Sequence, residues 1–189
     1  SPDALALVPQ RVWNNMTQYL LAAIPLFIFM ASMLEKSGVI EEVFDVAYKW
    51  LGRIPGGLAV ATVVASTVLA AMVGGIGAAV VTMALVALPS MLRRGYSAVL
   101  AVGTVMAGGT LGILIPPSVL AIVYGLVANQ SVGELYLGSV FPGLVLSGLY
   151  ILFSVGYALL NPKAAPRLSP EETPTWSERW RALRSIWSP

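Results

Sequence analysis

The sequence predicts an all-α polytopic membrane protein built around a helical hairpin and a broken transmembrane helix. Three observations predict it. Hydrophobic residues make up 57% of the 189, charged residues only 11%, and the mean hydropathy is +0.80, far from the composition of a soluble domain. Two long stretches, 54–92 and 96–133, carry no charged side chain. Each is interrupted near its middle by residues that stop a helix, Gly74-Gly75-Ile76-Gly77 in the first and Gly108 to Ser118, with Pro116 and Pro117, in the second.

Residues 1–36 read as a short lead and a first transmembrane helix, the apolar run reaching from Val12 to Leu34 with Trp13 and Tyr19 at the interface. Pro25 falls inside that run, where a neighbour or water can satisfy the released carbonyl. Ser1 stands where Met would start a chain, which reads as a fragment or a processed piece. Asp3 and Pro9 replace the basic and apolar regions of a signal peptide, so insertion is expected to rest on the internal spans. Residues 37–53 form an amphipathic helix. Val39, Ile40, Val43, Phe44, Ala47, Trp50 and Leu51 recur at helical spacing opposite Glu41, Glu42, Asp45 and Lys49. Too short and charged to cross, it is expected to lie at the interface or to pack as an arm against another subunit.

Residues 54–94 form the hairpin. The 39 residues 54–92 would make a helix of roughly 58 Å, about twice the hydrocarbon thickness, so the chain must fold back at the glycines. Its arms, about 17 residues each, fit either a pair of short spans or a re-entrant hairpin whose tip stops inside the membrane. Residues 95–133 form the discontinuous helix, with half-helices near Ala98 to Ala107 and Ser118 to Asn129 and a break from Gly108 to Ser118. Freed backbone groups are costly in hydrocarbon, so such a break is retained where protein surrounds it or where it lines a cavity. That makes Gly108, Gly109, Thr110, Pro116, Pro117 and Ser118 candidate ligands, alongside Gly74, Gly75 and Gly77 at the hairpin tip. The competing reading is a kinked helix whose glycines serve close packing, since Gly108 and Gly112 have GxxxG spacing. Residues 134–161 are an ordinary span. Residues 162–189 are a Pro-rich linker outside the bilayer with an amphipathic helix, on which Trp176, Trp180, Leu183 and Trp187 oppose Arg179, Arg181 and Arg184.

With the hairpin returning to the side it left, ten of the eleven Lys and Arg fall on one side and only Arg11 on the other, which the positive-inside rule assigns to the cytoplasm, C-terminal tail included. The spans hold no His, Asp, Glu or Lys, so intramembrane proteolysis by paired aspartates, a Ser with a base or HExxH cannot be built from them. No Walker A sequence is present, Val80 breaks a dinucleotide fingerprint at the tip, and neither cysteine nor any nucleic-acid signature occurs. A transporter element and a structural or accessory membrane subunit remain.

The runs Pro25-Leu26-Phe27-Ile28-Phe29-Met30, Leu34-Glu35-Lys36-Ser37-Gly38, Gly52 to Ala59, Met91 to Tyr96 and, above all, Gly109 to Ser118 resemble the large membrane subunit of tripartite ATP-independent periplasmic (TRAP) transporters, across nearly the whole chain. The resemblance implies the first inverted repeat of an elevator-type, sodium-coupled uptake permease in a bacterial inner membrane. Implied partners are a periplasmic substrate-binding protein delivering an organic acid, a small four-helix membrane subunit and the second repeat of the same permease. No organic cofactor is implied. Many members have a Ser-rich tip, whereas Val73-Gly74-Gly75-Ile76-Gly77-Ala78 stands here, so backbone carbonyls replace hydroxyls there. One sodium is therefore expected between the interruptions, on carbonyls near Gly74, Gly75 and Gly109 with the Thr110 hydroxyl. An anionic substrate group would rest on half-helix N-termini, on Thr110 and Ser118, or on an Arg of the second repeat.

Overall fold

A computed structural model of the chain describes residues 8–10, 12–14 and 16–166. Arg11 and the expected amphipathic helix with its tryptophans lie outside the described residues. A single 3₁₀ turn, Tyr19–Ala22, leads into α1 (Ala23–Lys36). Residues 12–14 and 16 are also helical, so the apolar run is divided around the turn rather than forming one helix, and Pro25 is the third residue of α1 rather than an interior kink. There its missing N–H costs nothing, because first-turn donors have no intrahelical acceptor. At 14 residues α1 is about 21 Å long, short of a full crossing. The chain then bends by 62° at Ser37-Gly38 into α2 (Val39–Leu51), Gly38 taking a positive φ of 78°.

The α2 helix is amphipathic as its spacing predicts, with Glu41 and Glu42 at its positive end and an Asp45–Lys49 pair one turn on. Its buried face, Ile40, Phe44 and Ala47, packs on α3 (Gly57–Val73). Those three side chains are therefore packed inside this chain, while Val39, Val43, Trp50 and Leu51 are only partly buried.

The hairpin is α3, a two-residue tip Gly74-Gly75, and α4 (Ile76–Arg93). Gly74 sits at φ 66°, whereas Gly75 is extended at φ −146°. The turn is narrower than the glycine run suggests, and Gly77 is a residue of α4. The broken helix is α5 (Ala98–Leu114) followed by α6 (Val119–Ala128), bent by 40°, with a cis peptide joining Pro116 to Pro117. The break is thus confined to 115–118. Gly108, Gly109 and Thr110 belong to α5, because glycine alone costs a helix only about 1 kcal/mol whereas paired prolines remove donors outright. Finally α7 (Val132–Leu160) runs 29 residues, roughly 43 Å, starting at a Ser131 cap that accepts from the Glu134 N–H at 3.4 Å. Among the described residues there is no strand.

Both hairpin arms pack against α5, and α7 closes over α3 and α5. The seam is made of small side chains, with Ala59, Ala61, Ala65, Ala87 and Ala101 all buried, which lets backbones approach as membrane helices do. At the base, Ser97 N–H donates to Ala164 O at 2.9 Å, Gly95 lies against Pro166, and Gly56 lies against Ser154 and Ala158. Arg53, Arg93, Arg94 and Lys163 are consequently gathered at one end. The hairpin tip abuts the α5–α6 break, and α6 continues for 10 residues beyond it, about 15 Å. Relative to that path the hairpin turns back at the level of the break, and its second arm, Ile76–Arg93, is by length and composition able to cross a membrane.

Candidate functional site where hairpin tip meets helix break

Four helix ends converge at one place, the C-termini of α3 and α5 and the N-termini of α4 and α6. The Val119 N–H donates to the Gly74 carbonyl at 3.2 Å, and a Cβ on Gly74 would run into the Pro117 carbonyl oxygen. A Cβ on Gly112 would stand 3.2 Å from the Gly75 oxygen. Gly74 needs to be glycine twice over, for its positive φ and for this approach.

The break frees carbonyls by simple arithmetic. In a helix the N–H of residue i serves the carbonyl of i−4, so Pro116 and Pro117 leave Gly112 and Ile113 without their usual donors. The last bond of the α5 ladder is Ile115 N–H to Leu111 O at 2.8 Å. Free carbonyls at two helix C-termini gather partial negative charge, which favours a cation. At the N-terminus of α4 the cap Gly75 offers no side-chain bond, a Cβ at Gly75 or Gly77 would stand in open space, and Ile76 and Gly77 are exposed. Bare, accessible N–H groups there favour an anion.

The other sequence candidates have different neighbours. Gly108 lies on the buried Ser66 hydroxyl and Gly109 on the Val80 side chain, each closer than any Cβ would allow. Both pack α5 into the hairpin, and Gly109, inside the helix ladder, does not present a free carbonyl to the tip. The Thr110 hydroxyl donates to Ala107 O at 2.7 Å and is hydrogen-bonded to Tyr150 Oη at 3.1 Å, on the α7 side. Ser118 is only 1% exposed, and its hydroxyl caps α6 by accepting from Ala121 N–H at 3.4 Å. Gly112 and Tyr136 escaped the sequence reading. Counting back four residues from each proline would have found Gly112. Nothing local marks Tyr136, whose hydroxyl donates to Ser118 O at 3.2 Å across the fold.

A larger apolar cleft of about 590 Å³, lined by Val63, Gly103, Ala107, Leu149, Tyr150 and Phe153, opens between α5 and α7 away from the tip. Its lining carries hydroxyls at Thr104, Tyr150, Ser154 and Tyr157 and no charged side chain. Among the described residues no group of three or more His, Cys, Asp or Glu could hold a metal, so the donors available at the tip are carbonyls.

Residues 2–189 match the family described as the DctM component of the tripartite ATP-independent periplasmic transporter. The chain is 37% identical over 185 residues to the C4-dicarboxylate TRAP transporter large permease protein DctM of Vibrio cholerae, covering 97% of this chain and 40% of that one. To the protein of the same name in Pseudomonas aeruginosa it is 35% identical over 187 residues, 99% of this chain and 43% of that one. The ectoine TRAP transporter large permease protein TeaC of Halomonas elongata is 31% identical over 168 residues, 88% of this chain and 38% of that one. These relatives are permease subunits and not enzymes, and the chain spans about two fifths of their length.

Proposed function

Because the chain belongs to the DctM-component family of tripartite ATP-independent periplasmic transporters, we propose that it forms part of a sodium-coupled secondary active permease. That permease takes up a small organic acid across a bacterial inner membrane. The observation that carries this reading is the convergence of four helix ends, tip against break, in an interior without charged side chains. Sodium is hard and takes oxygen ligands. It sits on the Gly112 carbonyl that the break frees and on the second lone pairs of the Gly74 and Gly75 carbonyls, which already accept from the Val119 and Ala79 N–H groups, with Gly74 and Gly75 kept from the first expectation and Gly112 in place of Gly109 and Thr110. The substrate carboxylate meets the first turn of α4 at Gly75 to Gly77, one helix end away, so each charge offsets the other. The substrate reaches the permease from a periplasmic binding protein, and a small four-helix membrane subunit and a second repeat of the same permease complete the machine. The basic end faces the cytoplasm. Relatives bearing C4-dicarboxylate and ectoine names leave the individual substrate to residues outside this tip.

The test is uptake by the complete permease, reconstituted with its partners in liposomes. An inward sodium gradient should drive accumulation, and Gly112→Ala should raise the sodium concentration for half-maximal uptake by at least threefold. Equal uptake with sodium replaced by choline and a proton gradient imposed would reject sodium as the coupling ion.

A further inference from the structure

The peptide unit between Ser118 and Val119 is bonded on both sides. Its N–H donates to the Gly74 carbonyl at 3.2 Å, and its C=O accepts from the Tyr136 hydroxyl at 3.2 Å as well as from Ile122 N–H at 3.3 Å. Tyr136 in α7, this one peptide of the break, and the hairpin tip therefore form a single relay of hydrogen bonds. Donation into a peptide carbonyl makes the N–H of the same unit a stronger donor, because bonds in such chains polarise one another. The Val119 N–H occupies one lone pair of the Gly74 oxygen and leaves the second.

We propose that Tyr136 is a positioning residue for the ion site: through the Ser118-Val119 peptide it fixes the direction of the Gly74 carbonyl. The inference rests on the sodium reading above and adds the α7 residue that tunes it. Other links between α7 and its neighbours, such as Thr67 with Ser147 at 2.7 Å and Thr110 with Tyr150, join side chains only and do not pass through a peptide of the break. They hold α7 in place without acting on the tip. Tyr136 is half-buried, and Phe preserves its ring, so loss of the hydroxyl alone can be examined.

The experiment uses the complete permease carrying Tyr136→Phe, with Tyr157→Phe, whose ring neighbours Phe153, as the control on the same helix. Two quantities are measured, the sodium midpoint for thermal stabilisation and hydrogen exchange of the Val119 amide without sodium. Tyr136→Phe should raise the midpoint between two- and tenfold and speed Val119 exchange, while Tyr157→Phe changes neither. A purely structural tyrosine would lower the melting temperature equally with and without sodium and leave the midpoint alone, which overturns the proposal. Faster exchange with an unchanged midpoint overturns it too, since the relay would then exist without acting on the ion. If the parent protein shows no sodium-dependent stabilisation, the sodium reading fails by itself. The relay is then upheld or rejected by Val119 exchange.

Discussion

Removing one oxygen from Tyr96 should loosen the foot of the hairpin. The α3 helix starts behind Gly56, which has no side chain to cap it, and the Leu58 N–H donates instead to the Tyr96 hydroxyl at 3.3 Å from 38 residues away. Tyr96 is 7% exposed and Leu58 3%, so water cannot take over. Tyr96→Phe keeps the buried ring and deletes the acceptor. A lost helix cap costs about 1 kcal/mol and an orphaned buried donor about 1–3 kcal/mol. The two describe the same bond, so a loss of about 1–2 kcal/mol is expected, lowering the melting temperature by roughly 2–8 °C for a chain of this size. Ordinary cap design would repair the defect with Gly56→Ser. Here that change should destabilise further, because Gly56 has φ 69° and its Cβ would stand 2.8 Å from that of Ala158. The effect should also depend on pH. Burial pushes the Tyr96 hydroxyl above its ordinary 10.0, with the Leu58 N–H and Arg94 pulling it back. The folded state thus favours the neutral phenol, a contribution complete below the unfolded value and lost as pH rises through the folded one. Thermal melts in nanodiscs between pH 7 and above 10 would show the parent losing this increment at the alkaline end and Tyr96→Phe lacking it throughout. A melting temperature unchanged by Tyr96→Phe at pH 7, with Leu58 amide exchange also unchanged, would refute the cap.

Three further outcomes can be checked on the same preparation. Ser66→Ala should be neutral or stabilising in a thermal melt, since the Ser66 hydroxyl is fully buried with no hydrogen-bond partner and replacing an unpaired polar group removes a penalty of about 1–3 kcal/mol. Thr110→Val should leave the sodium midpoint of uptake within twofold of the parent, because its hydroxyl is bonded to Ala107 and Tyr150; a large shift would return Thr110 to the ion site. Single cysteines at Arg53 and Ser97 should both react with a membrane-impermeant maleimide only from the cytoplasmic side, and labelling of either in intact cells would reverse the orientation.

The sequence by itself determined the order of elements and the two interruptions. Those features depend on local rules, the length a helix needs to cross hydrocarbon, the amphipathic spacing of α2, and the inability of Pro116 and Pro117 to donate. It overestimated the break because Gly108 and Gly109 read alike whether a helix stops or another helix presses against it. Only the fold shows Ser66 and Val80 filling the space where their side chains would be. It likewise assigned Thr110 to the tip, since sequence position says nothing of which side of a helix faces which neighbour. Tertiary packing decided the contacts that join distant residues, Tyr96 to Leu58, Tyr136 to Ser118 and Val119 to Gly74. The Leu58 and Val119 contacts satisfy N–H groups in the first turns of α3 and α6, and Tyr136 adds a second donor to a carbonyl that already accepts from Ile122 N–H. The need of those N–H groups was therefore written locally, whereas the partner that meets it exists only once the helices are packed.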